Sequence, residues 1–336
     1  MKISVLLPVY NERTLLGEAL DSLLAQTEPD FEIVAVDDGS TDGTADLLDA
    51  RARQDSRLRP LHLPHGGIVA ALNAGLAVAQ GRYIARMDAD DVARPDRLRL
   101  QAELLDRRPE VGLVAGRVRF LGDAQAQAGM ARFVGWTNGL LSAERISCER
   151  FVESPFVHPS VMFRRELVEQ FGGYRAGDFP EDYELWLRWL EAGVRMEKLD
   201  AELLDWRERP QRLTRTDPRY GVEAFFRCKA PYLARRLAEI NPQHPRVVVW
   251  GAGRVTRLRL RPLFELGIEP SAWIDIDRNK IGWTVQGAPV LGPGDLPQPA
   301  ETFVLAAVGK RGARELIEPV LRRRGFVVGR TCLFCA

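Results

Sequence analysis

Two short apolar runs each break into a crowd of acids, and this repeat limits the fold more than any other feature of the sequence. Phe31-Glu32-Ile33-Val34-Ala35-Val36 leads into Asp37-Asp38-Gly39-Ser40-Thr41-Asp42, and Tyr83-Ile84-Ala85-Arg86-Met87 leads into Asp88-Ala89-Asp90-Asp91. Carboxylates packed at a strand end repel one another, which points to a divalent cation held by oxygen ligands, with a plain acidic turn as the alternative. In an open α/β sheet, ligands bind at the carboxyl ends of the strands, so both turns are expected to face one crevice.

The first hundred residues alternate strand and helix patterns, with strands near 3 to 7, 32 to 36, 58 to 62 and 82 to 87 and helices near 13 to 25, 42 to 54, 68 to 79 and 94 to 107. Such a βαβ series predicts a mostly parallel sheet covered by helices on both faces. Beyond Gly112 the pattern loosens: extended pieces are expected near 112 to 120 and 157 to 163, and helices near 143 to 151 and 181 to 192. Helical patterning resumes from about Tyr220 to Ile240, and Asn241-Pro242-Gln243-His244-Pro245 breaks it. The expected domains are therefore residues 1–242 and 243–336. The second opens on a strand, Arg246-Val247-Val248-Val249-Trp250, followed by Gly251-Ala252-Gly253 and a helix to about Leu266, the start of a smaller α/β unit.

A chain of 336 residues, 46% hydrophobic and 28% charged, can bury more than one core. No apolar run approaches the roughly 18 residues that a membrane span needs, and Lys2 to Val9 is broken by Pro8 and followed by Asn11, Glu12 and Arg13, unlike a signal peptide. Cys148, Cys228, Cys332 and Cys335 form no disulfide framework, which favours a reducing cytoplasm. Cys332-Leu333-Phe334-Cys335 lacks the second pair of a zinc site, and no histidine stands at metal-ligand spacing. From Gln243 onward there are fourteen Lys and Arg against eight Asp and Glu, a charge of +6 that leaves −5 for the rest of a chain whose net charge is +1. Nothing here asks for a nucleic-acid partner.

Ile3-Ser4-Val5-Leu6-Leu7-Pro8-Val9-Tyr10-Asn11-Glu12, the Asp37–Asp42 turn and Asp88-Ala89-Asp90-Asp91, in that order and each after a strand, closely resemble the family-2 glycosyltransferases with the GT-A fold. The resemblance covers about residues 1 to 225. It implies a mostly parallel mixed sheet and a cytoplasmic, metal-dependent, inverting enzyme that moves a sugar from a UDP-sugar to a hydroxyl acceptor, either a saccharide or a lipid-linked sugar, in surface-glycan synthesis. Any membrane contact would then be peripheral, at the inner face.

The resemblance also implies roles. Pro8, Tyr10 and Glu12 would line the nucleotide, and Asp38 would accept a hydrogen bond from a uracil N–H, as suits a carboxylate. Asp37 would support its turn, while Asp42 equally fits as a cap of the following helix. His65-Gly66-Gly67 and the helix after it would pass the nucleoside, with Asn73 contacting the ligand or packing inside the helix layer. Asp90 and Asp88 would hold Mn²⁺ or Mg²⁺, with Asp88 nearer the ribose.

In Asp178-Phe179-Pro180-Glu181-Asp182 the resemblance makes Asp182 the general base, with Glu181 beside it as a substrate contact. The alternative for this segment is a capping box from Asp178 to Glu181. His158, before Pro159, would point into the cleft or sit in the core. Trp206 to Thr214 occupies the place of a loop that closes on the diphosphate in relatives, often with a metal-binding histidine. This chain has Arg209 and Arg212 there, as a phosphate clamp or an exposed basic turn.

The tail, with Gly251-Ala252-Gly253-Arg254, Ile274-Asp275-Ile276-Asp277 and Gly287-Ala288-Pro289, resembles the small Rossmann-like domain of some sugar acetyltransferases, which helps to hold a nucleotide sugar there. Thr256 stands where a dinucleotide fingerprint has its third glycine, so a dehydrogenase is not expected. Ligand binding, homodimerisation and a relic without function are the three alternatives for this domain. Two other readings of the whole chain compete: a non-catalytic nucleotide-sugar sensor or assembly protein, and a sugar nucleotidyltransferase, which lacks its glycine-rich, lysine-bearing first loop here.

Overall fold

The structure, a computed structural model, describes residues 1–210 and 212–336. Contacts divide the chain into two compact units, the first made of Met1–Ile146, Pro155–Gly177 and Glu184–Thr216, the second of Ser147–Ser154, Asp178–Tyr183 and Asp217–Ala336.

In the first unit, β1 (Ile3–Val9), β2 (Phe31–Asp37), β3 (Leu58–His62), β4 (Tyr83–Arg86), β5 (Val92–Ala93), β6 (Val111–Leu121), β7 (Val161–Arg164) and β8 (Arg195–Arg207) form one sheet in the order β3-β2-β1-β4-β7-β6-β8-β5. The first four of that order are parallel; β7 runs against β4 and β6, and β8 runs parallel to β6. Every residue of β1 and β2 is buried, because helices cover both faces. Alternate residues supply the two cores. Val5, Leu7, Ile33 and Ala35 pack with Leu16 and Leu20 of α1 (Leu16–Leu24) and, further along the chain, Leu98 and Leu105. Leu6, Val34 and Val36 pack on the other side with Ala71 and Leu72. Each such side chain contributes about 1.5–3 kcal/mol by leaving water.

Between the strands, α2 (Thr44–Ala52), α3 (Ile68–Val78) and α4 (Arg97–Arg107) complete the alternation within a few residues of expectation. The helix Ala128–Asn138 and the thirteen-residue β8 lie where no regular element was expected. In β8, Glu197, Lys198, Asp200 and Glu202 hide the strand pattern. Three of these charges have partners: Glu197 pairs with Arg108 and Arg195, Asp200 pairs with Arg117, and Lys198 Nζ donates to Thr137 Oγ1 at 2.9 Å.

The second unit holds β9 (Arg246–Trp250), β10 (Glu269–Ile274), β11 (Thr284–Val285), β12 (Ala288–Leu291), β13 (Val304–Ala306) and β14 (Cys332–Phe334), in the order β11-β12-β10-β9-β13-β14. Only the β11–β12 hairpin is antiparallel. A mostly parallel mixed sheet with helices on both faces and a smaller α/β unit is thus the architecture. The helix Val222–Ile240 belongs to the second unit. Its buried Lys229 Nζ donates to the carbonyls of Phe151 (2.7 Å), Val152 (3.4 Å) and Cys335 (2.7 Å), and burial pushes the ammonium down to about 8. Burial pushes the Cys332 and Cys335 thiols up to about 12, away from the reactive thiolate form. Among the described residues no helix is long and apolar enough to cross a membrane.

Candidate active site

The acidic turns leave the same carboxyl edge of the sheet from β2 and β4, the two neighbours of β1. After β4, Asp88, Asp90 and Asp91 each present an oxygen, all within 4.8 Å of one another. The turn is pinned from β8: Arg207 N–H donates to Asp91 Oδ1 at 2.8 Å, and Arg207 Nε to the Asp90 carbonyl at 2.9 Å. Asp91 is fully buried, and its other oxygen, Oδ2, has no hydrogen-bond partner among the described residues. Hard, crowded carboxylate oxygens with one orphaned lone-pair set fit a divalent cation.

Arginines balance the cluster. Arg86 and Arg212 both pair with Asp88, the latter at 3.0 Å; Arg209 bridges Asp90, at 3.1 Å, and Glu12. The Arg212 guanidinium also lies over the Trp206 ring, 4.5 Å from its centroid. Burial works against the Asp88 charge, yet Arg86 and Arg212 hold its carboxyl down to about 2. Burial, reinforced by Asp88, raises Asp90; burial raises Asp91 well above the usual range. Arg97 in α4 is fully buried as well; it donates to the Arg86 carbonyl at 2.5 Å, and burial pushes it down to about 9.

The turns after β1 and β2 are tied together. Asn11, at φ +50°, donates from its N–H to Ser40 Oγ and accepts from the Thr41 N–H; Glu12 N–H donates to Thr44 Oγ1. Asp42 accepts from the Arg13 and Thr44 N–H groups, and Asp37 accepts from the Ser40 N–H. Pro8 is buried inside β1, and Tyr10, half exposed, stacks on His65 with ring centroids 4.2 Å apart. Asp38 Oδ1 and Oδ2 accept from the N–H groups of Gly66 (2.8 Å) and Gly67 (2.9 Å), and His65 Nδ1 lies 2.9 Å from Oδ2. Gly67 needs to be glycine for its φ of +85°. Asp38 thus holds the glycine turn, while its Oδ1 keeps a second lone pair.

Asn73 engages the Tyr174 backbone at both ends of its amide, donating to the carbonyl at 2.9 Å and accepting from the N–H at 3.0 Å. His158 Nε2 lies 2.8 Å from the Tyr174 hydroxyl, with its ring edge-on to Trp186. Burial, followed by Arg86, lowers its pKa well below the ordinary histidine value. The helix Glu181–Glu191 starts at Glu181 itself, so Asp178 lies three residues ahead of the first turn rather than at its cap. The Glu181 carboxylate accepts from the Tyr220 hydroxyl at 2.7 Å, and Asp182 stands half-buried in the first turn. Glu12, Asp88, Asp90, Arg209 and Arg212 therefore come together, Tyr10 and Asp38 meet at His65, and Asn73 and His158 meet at Tyr174; Glu181 and Asp182 are grouped with the second unit.

Sequence reasoning passed over Arg86, Arg97 and the distinct place of Asp91. For Arg86 a signal existed, a lone charge within the otherwise apolar run Tyr83–Met87. For Arg97, one of several arginines in an arginine-rich helix, none did.

Residues 4–172 match the family model described as glycosyl transferase family 2. Over 115 residues the chain is 41% identical to an uncharacterized glycosyltransferase of Nostoc sp., covering 34% of this chain and only 36% of that protein's length. Over 227 residues it is 30% identical to the putative glycosyltransferase EpsE of Bacillus subtilis, covering 66% of this chain and 78% of that one. Among solved structures, S. aureus TarS in complex with UDP-GlcNAc superposes with a TM-score of 0.56 at 22% identity, over 70% of this chain and 67% of that chain. That likeness establishes the fold, and the family match and the EpsE alignment establish the lineage: the chain belongs to glycosyltransferase family 2.

Proposed function

We propose that this chain is a metal-dependent, inverting glycosyltransferase that moves a sugar from a UDP-sugar to a hydroxyl of a saccharide or lipid-linked acceptor in surface polysaccharide or glycolipid synthesis. The observation that carries this reading is the acidic cluster: three carboxylates within 4.8 Å, arginine-balanced, at the carboxyl edge of a parallel sheet.

In this reading Asp90 and Asp88, with the orphaned oxygen of Asp91, hold Mn²⁺ or Mg²⁺. When bound, the cation neutralises charge on the departing nucleoside diphosphate. Arg209 and Arg212 exchange their carboxylate partners for phosphate oxygens, which a planar guanidinium fork binds in pairs. Tyr10 and His65 offer a flat wall to a base, and a free lone pair of Asp38 accepts its N–H. Asp182 takes the proton of the acceptor hydroxyl as that oxygen bonds to the anomeric carbon and the carbon–diphosphate bond breaks, so the configuration inverts. The helix N-terminus favours the Asp182 carboxylate and Glu181, fixed by Tyr220, orients the turn. The place of action is the cytoplasm, with any membrane contact peripheral.

Calorimetric titration with UDP, GDP and dTDP, with and without Mn²⁺, tests the reading when repeated on Asp90→Ala. Metal-dependent UDP binding that disappears in the variant is expected. Binding of another nucleotide, or binding indifferent to metal, overturns the donor and cofactor assignments.

A further inference from the structure

Among the described residues, most of the large apolar side chains left exposed lie in residues 243–336, the stretch that also carries a charge of +6. Four of them gather near the carboxyl ends of β9 and β10. Val255 (59% exposed) and Leu258 (58%) stand on the helix Arg254–Phe264, and Ile276 (75%) and Trp283 (58%) on the loop between β10 and β11. Arg254, Arg257, Lys280 and Trp283 line one shared depression, so helix and loop make one continuous face.

The loop is held firmly from within. Asp277 N–H donates to Asp275 Oδ1 at 3.0 Å, and Lys280 Nζ reaches Asp275 Oδ2 at 3.2 Å and Asp277 Oδ2 at 3.5 Å. Gly282 N–H donates to the Val290 carbonyl at 2.9 Å, and Val290 N–H to the Trp283 carbonyl at 2.8 Å. Ile276 and Trp283 are therefore held out in water on an ordered backbone. The other side of the helix is already occupied: Leu260 and Leu263 are buried, and Arg259 lies over the Phe226 ring. Apolar side chains kept in water forgo their burial energy, and several on one face mark a surface that something else covers.

Charge identifies the occupant. The helix Arg254–Phe264 carries four arginines and no acid. Glu265, just past its end, pairs with Arg261, and both acids of the loop pair with Lys280. Arg254, Arg257 and Arg278 have no acidic partner among the described residues, so the face is positive. A second copy would bring like charges together, which opposes self-association through this face. The apolar side chains stand singly among the cations on a helix face and a loop. That mixture suits the surface of an anionic bilayer, where an indole sits level with the headgroups, small apolar side chains reach just below, and Arg and Lys meet lipid phosphates.

We propose that this face docks the second unit on an anionic membrane surface: Val255, Leu258, Ile276 and Trp283 enter the headgroup layer, while Arg254, Arg257 and Arg278 lie against the lipid phosphates. This gives the peripheral contact named above a location, and it depends on neither the donor nor the metal assignment.

The test is sedimentation of the full chain with vesicles of phosphatidylcholine, alone or mixed with phosphatidylglycerol, in EDTA and without nucleotide, so that a failure here leaves the transferase reading untouched. Binding to the mixed vesicles is expected, weak on phosphatidylcholine alone and falling as salt rises. Ile276→Ser with Trp283→Ala, and separately Arg254→Gln with Arg278→Gln, should each lower the partition about tenfold or more. All four side chains are exposed, so thermal unfolding should stay at the wild-type value. Leu266→Ser, about 16 Å from Val255 along the helix axis, should bind like the wild type, and equal loss there overturns the location. No binding, equal binding to both vesicles, or binding indifferent to both pairs of substitutions overturns the proposal. Release by millimolar inorganic phosphate overturns it in favour of a soluble anion. A dimer in light scattering that Ile276→Ser with Trp283→Ala converts to monomer overturns it in favour of a second copy.

Discussion

Replacing Asp38 with asparagine sets the two jobs of that side chain against each other. The carboxylate accepts N–H groups from Gly66 and Gly67, one on each oxygen, at 2.8 and 2.9 Å. A hydrogen bond to a charged acceptor contributes about 1.5–3 kcal/mol net, and a buried donor left without a partner costs about 1–3 kcal/mol. Asparagine keeps one oxygen, and its NH₂ meets an N–H on the other side. One charge-assisted bond is lost, and the glycine N–H it leaves lies on the partly exposed Gly66–Gly67 turn where water can reach it, so the expected destabilisation is about 1.5–3 kcal/mol. For a unit of this size that corresponds to a fall of about 3–12 °C in the unfolding temperature. Differential scanning fluorimetry of wild type and Asp38→Asn measures it, and a shift under about 1 °C refutes the hydrogen-bond argument. UDP titration at low temperature, where the variant is folded, then isolates the second job. A loss of about tenfold or more is expected if Asp38 also reads the base, and unchanged affinity would leave it the turn alone.

Asp182→Asn should lower turnover by about 10²-fold or more with nucleotide affinity near wild type, and parallel loss of both would assign Asp182 a structural role. Gly81→Ala should give largely insoluble or unfolded protein, because the added Cβ would lie 2.3 Å from the Ser4 nitrogen and 2.6 Å from the Ile3 carbonyl carbon, backbone atoms of β1 that cannot step aside; a soluble variant with wild-type melting would contradict this. Truncation after Pro242 should reduce soluble yield, since it strips the Cys335 carbonyl from the buried Lys229 ammonium and strands the helix Val222–Ile240 without its sheet; a monodisperse, folded product would show that residues 1–242 stand alone.

The parallel half of the first sheet was legible because its central strands are buried on both faces, so Ile3 to Val9 and Phe31 to Val36 read as near-continuous apolar runs with punctuated turns. The acidic turns were legible for a similar reason, as charge concentrated where strands end. What escaped were features whose logic is pairwise. β8 looks polar in sequence because charges such as Glu197 and Lys198 find partners far along the chain. Asn73 was open between ligand and packing, and only its two bonds to Tyr174, a hundred residues away, give it a place. The boundary near Asn241 follows a composition break, whereas compactness follows Lys229 and the side chains around it, so the helix before the break belongs with what comes after it.

The arginines standing on the acidic turn have a thermodynamic consequence. Glu12, Asp88, Asp90 and Asp91 face Arg86, Arg209 and Arg212, so the free site is already close to electrical balance. On the proposed function, a cation arriving alone must displace guanidinium groups, and a diphosphate arriving alone must draw them from their carboxylates. Arriving together, each takes the partner the other leaves behind, and the ion pairs are exchanged rather than lost. Affinities measured for either one separately will then understate the affinity of the pair, and by linkage each must raise the other's by the same factor.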